Sequence, residues 1–289
     1  ADKLMEFIAY HARAGSNELA RERSPYPEFP RSIHAKGRFN WEPQVPASEI
    51  YDLSAVSDDA RRIVDDRPSL DWDKLRKEMR EGTRNASVTT IAPTGSISII
   101  ADVTSGIEPF FALVYVREVS IGRFLEVNKY LKRALKHEGL LSRDRLLEVA
   151  KVRSAAKITW LPERWRKLLK TAHDVSPAWH VRMQAVFQRW VDNAVSKTVN
   201  LRHDASVEDV AEVFRLAWRL GCKGITVFRD RSKPEQVVVV GEEISEVLKS
   251  VPEPARIKDK SYHKWFRIGK EEIAAAPEDY SGGCPTCDL

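Results

Sequence analysis

Short β-rich runs alternate with longer helical patterns between Ser87 and Arg229, and this alternation limits the possible folds more than any other feature. The β-rich runs cover residues 86–91, 112–119, 196–201 and 224–228. Parallel strands joined by helices give this kind of sequence, because each crossover needs a long connection. The sequence therefore predicts an α/β fold in which β-α units build a sheet or barrel.

Helical periodicity fills most of the remaining chain. It predicts helices over residues 3–22, 58–66, 70–81, 124–137, 143–152, 162–171, 177–194, 207–220 and 242–249. In the first of these, Leu4, Phe7 and Ile8 recur at helical spacing, which predicts an amphipathic helix. Residues 24–46 are rich in proline and aromatic side chains and predict an irregular surface segment.

Composition excludes several classes of protein. Of the 289 residues, 43% are hydrophobic and 31% charged, which is typical of a globular soluble chain. No apolar run reaches the roughly 18 residues that span a bilayer, and no signal peptide opens the chain. Three cysteines are too few for a disulfide scaffold. We therefore expect a cytoplasmic protein that does not bind membranes.

The net charge of +5 is mild for a chain of this length. Basic side chains at residues 164–170 are typical of a solvated helix face, and no aromatic-basic interleaving accompanies them. We therefore expect no direct binding to nucleic acid. A modest positive balance does suit an anionic small substrate.

A candidate phosphate site is the turn formed by Pro93, Thr94, Gly95, Ser96 and Ile97. A β run precedes it and a stretch that can open a helix follows. This arrangement points backbone N–H groups at an anion, and Gly95 allows close approach. The alternative is an ordinary β-to-helix turn with a Ser or Thr cap. A Walker loop is excluded, since its GxxxxGK pattern is missing.

The flanks of this turn resemble a known family. RNASVTTIAPTGSISII followed by SGIEPFFALVYVREV is similar to the large-subunit core of ribonucleotide reductases, in particular the adenosylcobalamin-dependent class. DNAVSKTVNL at Asp192–Leu201 and LGCKGITVFRD at Leu220–Asp230 resemble later blocks of that family in the same order. The resemblance extends from the first helix to about Arg231.

The resemblance implies the C-terminal half of a ten-stranded α/β barrel, with residues 1–230 in the barrel domain. Residues 231–280 are then a small appended segment and linker, and residues 281–289 a mobile tail. It also implies reduction of a ribonucleotide at the ribose 2′-OH by a cysteine thiyl radical. The stretch that matches Pro93–Ile97 binds the substrate phosphates in that family.

The family's radical cysteine lies in an Asn-Pro-Cys-Gly-Glu type motif, which this sequence lacks. We therefore expect the chain to need an N-terminal part, either a separate chain or a missing segment, and to be inactive alone. The strand at Ile225–Phe228 also lacks the paired tyrosines of the tyrosine-relay class. This favours adenosylcobalamin as the radical source.

Cys284 and Cys287 form a CPTC pair near the end of the sequence. Two thiols at this spacing can form a reversible disulfide. The resemblance implies a redox shuttle that is re-reduced by a thioredoxin-like partner. Half of a zinc site is the alternative, with Cys222 or His263 as a further ligand. We expect Cys222 itself to be a buried structural thiol.

Other polar residues receive structural interpretations. We expect Glu108 to hold a loop, and His173 and His180 to cap and pack, so no metal site is predicted. Arg84 and Asn85 are candidates for bracing the phosphate turn. Core positions are predicted for Trp160, Trp165, Trp179, Trp190 and Trp218. Two other functions remain open: a non-catalytic phosphate-binding subunit and a zinc-binding interaction module.

Overall fold

The computed structural model describes residues 1–42, 45–51, 70–119, 122–152, 154–230, 232, 238–239, 264–268 and 271–275. The chain divides into two compact units. The first comprises residues 1–93, 106–108 and 175–232, and the second comprises residues 94–105, 109–174 and 233–289. The helices predicted at 58–66 and 242–249 lie outside the described residues.

The helices and strands follow the chain in this order: α1 (Asp2–Arg23), α2 (Ala47–Ile50), α3 (Trp72–Glu81), α4 (Gly95–Ile100), β1 (Val114–Val119), β2 (Gly122–Val127), α5 (Lys129–His137), α6 (Arg143–Val152), α7 (Glu163–Leu168), α8 (Pro177–Gln188), β3 (Thr198–Leu201), α9 (Val207–Arg219), β4 (Thr226–Arg229), β5 (Val238–Val239), β6 (Lys264–Ile268) and β7 (Glu271–Ala275). Short 3₁₀ turns occur at Phe29–Arg31, His34–Lys36, Ala155–Lys157 and Ala172–Asp174. Within the part of the chain that the structure describes, no helix is both long and apolar enough to cross a bilayer.

The first unit contains the predicted parallel pairing. β3 and β4 are parallel, with Thr198 opposite Thr226 and Leu201 opposite Arg229. The predicted strand at residues 86–91 is reduced to a single parallel bridge between Ile91 and Val195. The N–H of Ile91 donates to the Ala194 carbonyl, and the Ile91 carbonyl accepts from Ser196. Three chain segments therefore run in parallel and end toward the same side.

Helices α8 and α9 bury apolar side chains against these parallel segments. Val181 and Ala185 of α8, Val199 of β3 and Val213 of α9 belong to one buried cluster. α9 starts with a capping box in which Ser206 and Asp209 satisfy each other's backbone N–H groups. The apolar residues of a β-α-β unit thus meet as the alternating pattern predicts.

α8 ends at Gln188, six positions before the predicted end at residue 194. The Gln188 side-chain amide donates to the carbonyls of Val191 at 3.2 Å and Asn193 at 2.8 Å. These bonds satisfy carbonyls of a turn that leads into the parallel strand. The side chain therefore supports a non-helical turn that periodicity alone does not show.

α1 forms as predicted, but its apolar stripe faces solvent. Leu4, Phe7 and Ile8 are 59%, 47% and 42% exposed. The buried face instead carries Met5 and Ala9 together with polar side chains such as Arg13. Arg13 and Ser16 are buried with hydrogen-bond partners from distant parts of the chain, namely Asp192 and Asn85.

Residues 24–42 and 45–46 contain no regular element beyond two short 3₁₀ turns, as predicted, but they are not simply a surface segment. Phe39 is almost completely buried, and its ring stacks on Trp41 with centroids 4.6 Å apart. Trp72 contacts both rings edge-on, and Trp190 stacks on Trp72. Four aromatic rings thus fix the segment to α3 and to the end of α8.

The second unit departs from the prediction. Residues 124–127 do not begin a helix but belong to β2, which pairs antiparallel with β1. Asn128 then caps α5 by accepting from the N–H groups of Tyr130 and Leu131. An antiparallel hairpin therefore occurs here instead of a parallel β-α-β crossover. Val114 at the start of β1 and Leu131 of α5 belong to the same buried cluster.

The tryptophan prediction holds only in part. Trp190 is buried, whereas Trp218 on α9 is 81% exposed and Trp179 is also exposed. Trp160 and Trp165 pack at the edge of the second unit's core. Helical position alone thus did not decide which rings enter the core.

Candidate functional site

The predicted phosphate turn leads directly into α4. Thr94 is the N-cap residue and has φ of 55°, a left-handed conformation that is uncommon for a residue other than glycine. Such strain persists only where the surroundings impose it, and it is often found at functional sites. Gly95 then occupies the first helical position.

The outer side of this turn is open to solvent, whereas its inner side is anchored. Pro93, Ser96 and Ile97 are exposed. Ser98 is buried, and its hydroxyl lies 2.8 Å from the Gly95 carbonyl and 3.0 Å from the Ser105 hydroxyl. N–H groups in the first turn of any helix have no partner within that helix, and the local dipole favours an anion there. The exposed start of α4 therefore has suitable chemistry for a phosphate.

A second segment, Gly106–Glu108, belongs to the first unit with Ala92 and Pro93. Gly106 has φ of 50°, and a Cβ atom added there would lie 3.1 Å from the Ala92 carbonyl oxygen. Ile107 packs beside the buried cluster of Met5, Ala9, Trp190, Val191 and Val195. The segment is therefore pressed against the backbone that leads into the turn.

Glu108 anchors the same segment to the strand region. One carboxylate oxygen accepts from the N–H of Thr198 and the other from the ammonium of Lys197, both at 2.5 Å. Lys197 is buried, and this burial lowers its pKa, while the charge of Glu108 opposes that effect. Glu108 thus holds a loop, as the sequence analysis expected.

Arg84 and Asn85 make other contacts than the predicted ones. The Arg84 guanidinium donates to the carbonyl of Ser24, 3.4 Å away. The Asn85 N–H donates to the Ser16 hydroxyl at 2.9 Å, and the Asn85 carbonyl accepts from Arg13 at 2.8 Å. Asn85 thus binds α1, and Arg84 binds Ser24 directly after α1. These contacts lend no support to a role for either residue at the phosphate turn.

The first unit also contains two open cavities. One, of about 410 Å³, is lined by His11, Gly15, Ser16, Leu19, Asn85 and Val88, among others. The other, of about 390 Å³, is lined by Tyr26, His34, Asn40, Asp192, Asn193 and Lys223, among others. His34 is buried there, and Tyr26 lies 2.8 Å from its Nδ1 atom. Burial and the nearby Arg13 charge lower the pKa of His34 to about 4, so the ring is neutral at pH 7.

Of the three cysteines, only Cys222 lies among the described residues, so only its prediction can be compared with the structure. Cys222 is partly rather than fully buried and packs against the cluster around α8 and α9, and desolvation raises the pKa of its thiol to about 12. Cys284 and Cys287 lie outside the described residues. Among the residues that are described, no group of three or more His, Cys, Asp or Glu side chains is placed to hold a metal ion.

The two histidines near the start of α8 have packing roles. His180 is buried within α8. The ring of His173 lies 5.4 Å from that of Phe111 in an edge-on arrangement. Both observations agree with the expectation that these residues pack.

Comparison with known proteins decides the family. The family model described as ribonucleotide reductase, barrel domain, matches residues 1–228. The chain belongs to the ribonucleotide reductase family. This match contains every described residue of the candidate site, and it confirms the resemblance found in the sequence. In the described residues the barrel-domain chain has parallel segments without a closed barrel, so the ten-stranded arrangement stays a prediction.

Comparison with curated reductases shows what fraction of their length this chain covers. A vitamin B12-dependent ribonucleoside-diphosphate reductase of Thermoplasma acidophilum is 42% identical over 210 residues, which cover 69% of this chain and 27% of the relative. One from Mycobacterium tuberculosis is 35% identical over 226 residues, covering 78% and 29%. A ribonucleoside-diphosphate reductase subunit alpha of Chlamydia pneumoniae is 28% identical over 289 residues, covering 99% and 26%. This reductase chain therefore spans about a quarter of the length of the relatives it matches.

Proposed function

We propose that this chain is part of a B12-dependent ribonucleotide reductase and that Pro93–Ile97 binds the phosphates of the ribonucleotide substrate. The observation that carries the proposal is the barrel-domain match over residues 1–228, which includes the turn. The exposed first turn of α4 and the left-handed Thr94 support it. The names of the relatives from Thermoplasma and Mycobacterium favour a ribonucleoside diphosphate as the substrate.

The turn's part in the reaction is binding and orientation. Backbone N–H groups at the start of α4 would donate to phosphate oxygens, and the hydroxyls of Thr94 and Ser96 are further donors. A substrate held by its phosphates has its ribose placed at a fixed distance from this anchor. Such fixation lowers the entropic part of the barrier for the later chemistry.

The names of the relatives also favour adenosylcobalamin as the cofactor, which supplies the radical when bound. The two open cavities described in the first unit, of about 410 and 390 Å³, do not by themselves enclose a corrin ring with its nucleotide loop. The remainder of the reductase would therefore contribute to binding the cofactor.

That remainder must also supply the radical cysteine, because the sequence contains only Cys222, Cys284 and Cys287. The exposed stripe of Leu4, Phe7 and Ile8 on α1 supports a docking role for this helix. Contiguous exposed apolar side chains commonly mark a protein interface. The proposed partner is therefore the rest of a reductase, joined covalently or as a separate chain.

The proposed role of Cys284 and Cys287 is to deliver reducing equivalents. Reduction of the ribose leaves an active-site disulfide. The two thiols would reduce that disulfide by thiol–disulfide exchange, giving up two electrons and two protons as they form their own disulfide. A thioredoxin-like dithiol would then reduce the pair and become oxidised itself.

Reconstitution tests the proposal. The chain is combined with the remaining part of a B12-dependent reductase, and deoxynucleotide formation is measured with a ribonucleoside diphosphate, adenosylcobalamin and a dithiol. We expect turnover with both parts together and none with either alone. Turnover by the isolated chain would overturn the need for a partner. Pyrophosphate binding without turnover in the combined sample would instead favour a non-catalytic phosphate-binding subunit.

A matched pair of variants tests the docking face. Phe7→Glu places a charge in the exposed stripe of α1, while Leu168→Glu places one on α7, where Leu168 is 72% exposed. We expect Phe7→Glu to abolish co-purification with the remaining part and Leu168→Glu to preserve it. Equal co-purification of both variants would remove α1 from the proposed interface.

A further inference from the structure

The residues that lead up to Pro93, the first residue of the phosphate turn, form a connected arrangement within the first unit. Ile91 is hydrogen-bonded on one side to the strand region, through Ala194 and Ser196. Glu108 binds the same strand region through Lys197 and Thr198. Between these two anchors, Gly106 lies against the Ala92 carbonyl.

We infer that Gly106, Glu108 and Lys197 are positioning residues for the phosphate turn, because they fix the backbone of Ala92 and Pro93 from which the turn begins. This inference rests on the proposed function of Pro93–Ile97. The three residues do not touch the phosphate themselves. They act through the peptide groups of Ala92 and Pro93.

Gly106 is required for steric reasons. Its backbone is left-handed, with φ of 50°, and a Cβ atom would approach the Ala92 oxygen to 3.1 Å. That separation is shorter than an ordinary carbon–oxygen contact, so a side chain would displace Ala92, Gly106 or both. A displaced Ala92 carries Pro93, the first residue of the turn, with it.

Glu108 and Lys197 keep the Gly106 segment in place. The Lys197 side chain is only 1% exposed, and Glu108 is its partner in the ion pair. Removal of the carboxylate charge would leave a buried ammonium without that counter-charge, which is strongly unfavourable. The Glu108–Lys197 ion pair therefore couples the Gly106 segment to the chain just before β3. This part of the chain pairs with Ile91, which precedes the turn.

The first test compares two glycines with the same backbone strain. Gly106→Ala and Gly139→Ala both place a side chain at a left-handed residue, but a Cβ at Gly139 meets nothing within 4 Å. Binding of inorganic pyrophosphate to the chain is measured by calorimetry. We expect the dissociation constant to rise at least about fivefold for Gly106→Ala, within the range of coupling changes seen for indirect residues. Gly139→Ala should bind as the unaltered chain does.

The second test separates positioning from general destabilisation. Glu108→Gln keeps an acceptor for the Thr198 N–H but removes the charge that faces Lys197. The double variant Glu108→Gln with Lys197→Met removes the buried ammonium as well. We expect weaker pyrophosphate binding in the single variant and partial recovery in the double variant. In the reconstituted reductase the KM should rise in the single variant while kcat stays near its original value.

The outcomes distinguish this inference from the proposed function. Failure of the unaltered chain to bind pyrophosphate, or unchanged binding after Gly95→Leu, would remove the phosphate site and the positioning role together. If Gly95→Leu weakens binding but Gly106→Ala and Glu108→Gln do not, the phosphate site stands and the positioning role is wrong. Equal weakening by Gly139→Ala would also overturn the positioning role, because strain alone would then explain the effect.

Discussion

Arg13 and Asp192 are 179 positions apart in the chain and form an ion pair of 2.9 Å in which each side chain is 2% exposed. Arg13 also donates to the Asn85 carbonyl, and Asp192 accepts from the N–H of Val88 at 2.7 Å. Burial lowers the pKa of Arg13, and the Asp192 charge opposes this shift. One pair therefore joins α1, the approach to the phosphate turn and the turn before β3.

We expect Asp192→Ala to destabilise the chain by about 3–5 kcal/mol, because it leaves the Arg13 charge buried without its counter-charge. Urea unfolding followed by circular dichroism measures the change. The control is Asp204→Ala, which removes an exposed pair with Arg202 and should cost less than about 1 kcal/mol. Equal losses for the two variants would show that burial does not decide the strength of this pair.

His34 should make stability depend on pH. Its pKa is lowered from the ordinary value of 6.5 to about 4, chiefly by burial and then by Arg13. Between these values the unfolded chain binds the proton more readily, so stability falls as the pH is lowered from about 6.5 toward 4. We expect His34→Gln to reduce this slope by up to about 1.4 kcal/mol per pH unit.

Urea unfolding at several pH values between 4 and 7 checks this prediction. The matched control is His137→Gln, since His137 is exposed on α5. An unchanged slope after His34→Gln would mean that His34 titrates alike in the folded and unfolded chains.

Gly95→Leu should weaken substrate binding. The leucine side chain would stand at the first position of α4, where a phosphate would approach the backbone. We expect the dissociation constant for pyrophosphate to rise about tenfold or more, which corresponds to about 1.4 kcal/mol. Gly15→Leu is the control, as a Cβ at Gly15 meets nothing within 4 Å. Unchanged binding in Gly95→Leu would remove the central claim about the turn.

Replacement of Cys284 and Cys287 by serine should separate two reductants. In the reconstituted reductase we expect the double variant to lose turnover driven by a thioredoxin-like protein but to retain turnover driven by a small dithiol, which reaches the active site directly. Cys222→Ser serves as the control for loss of a thiol elsewhere. Equal loss of turnover with both reductants would contradict the shuttle, and bound zinc in the unaltered chain would favour the metal alternative.

The family could be identified from sequence because its evidence is local and ordered. The turn at Pro93–Ile97 and the blocks at 192–201 and 220–230 each carry their pattern within a few residues. Helix α3 with its Asp71 cap, and α9 with Ser206, also form where neighbouring residues dictate. The prediction was wrong at residues 124–127, which form the end of β2, and the helix begins only after Asn128, whose side chain caps it.

The sequence by itself determined which segments form most of the helices and that no radical cysteine motif is present, and it located the candidate phosphate turn at Pro93–Ile97. Only the tertiary structure decided that α1 buries Arg13 and exposes Phe7, and that Glu108 meets Lys197. The physical reason is the range of the interactions. Turns and caps depend on residues a few positions apart, whereas burial of a charge depends on a partner 179 positions away for Arg13 and 89 positions away for Glu108.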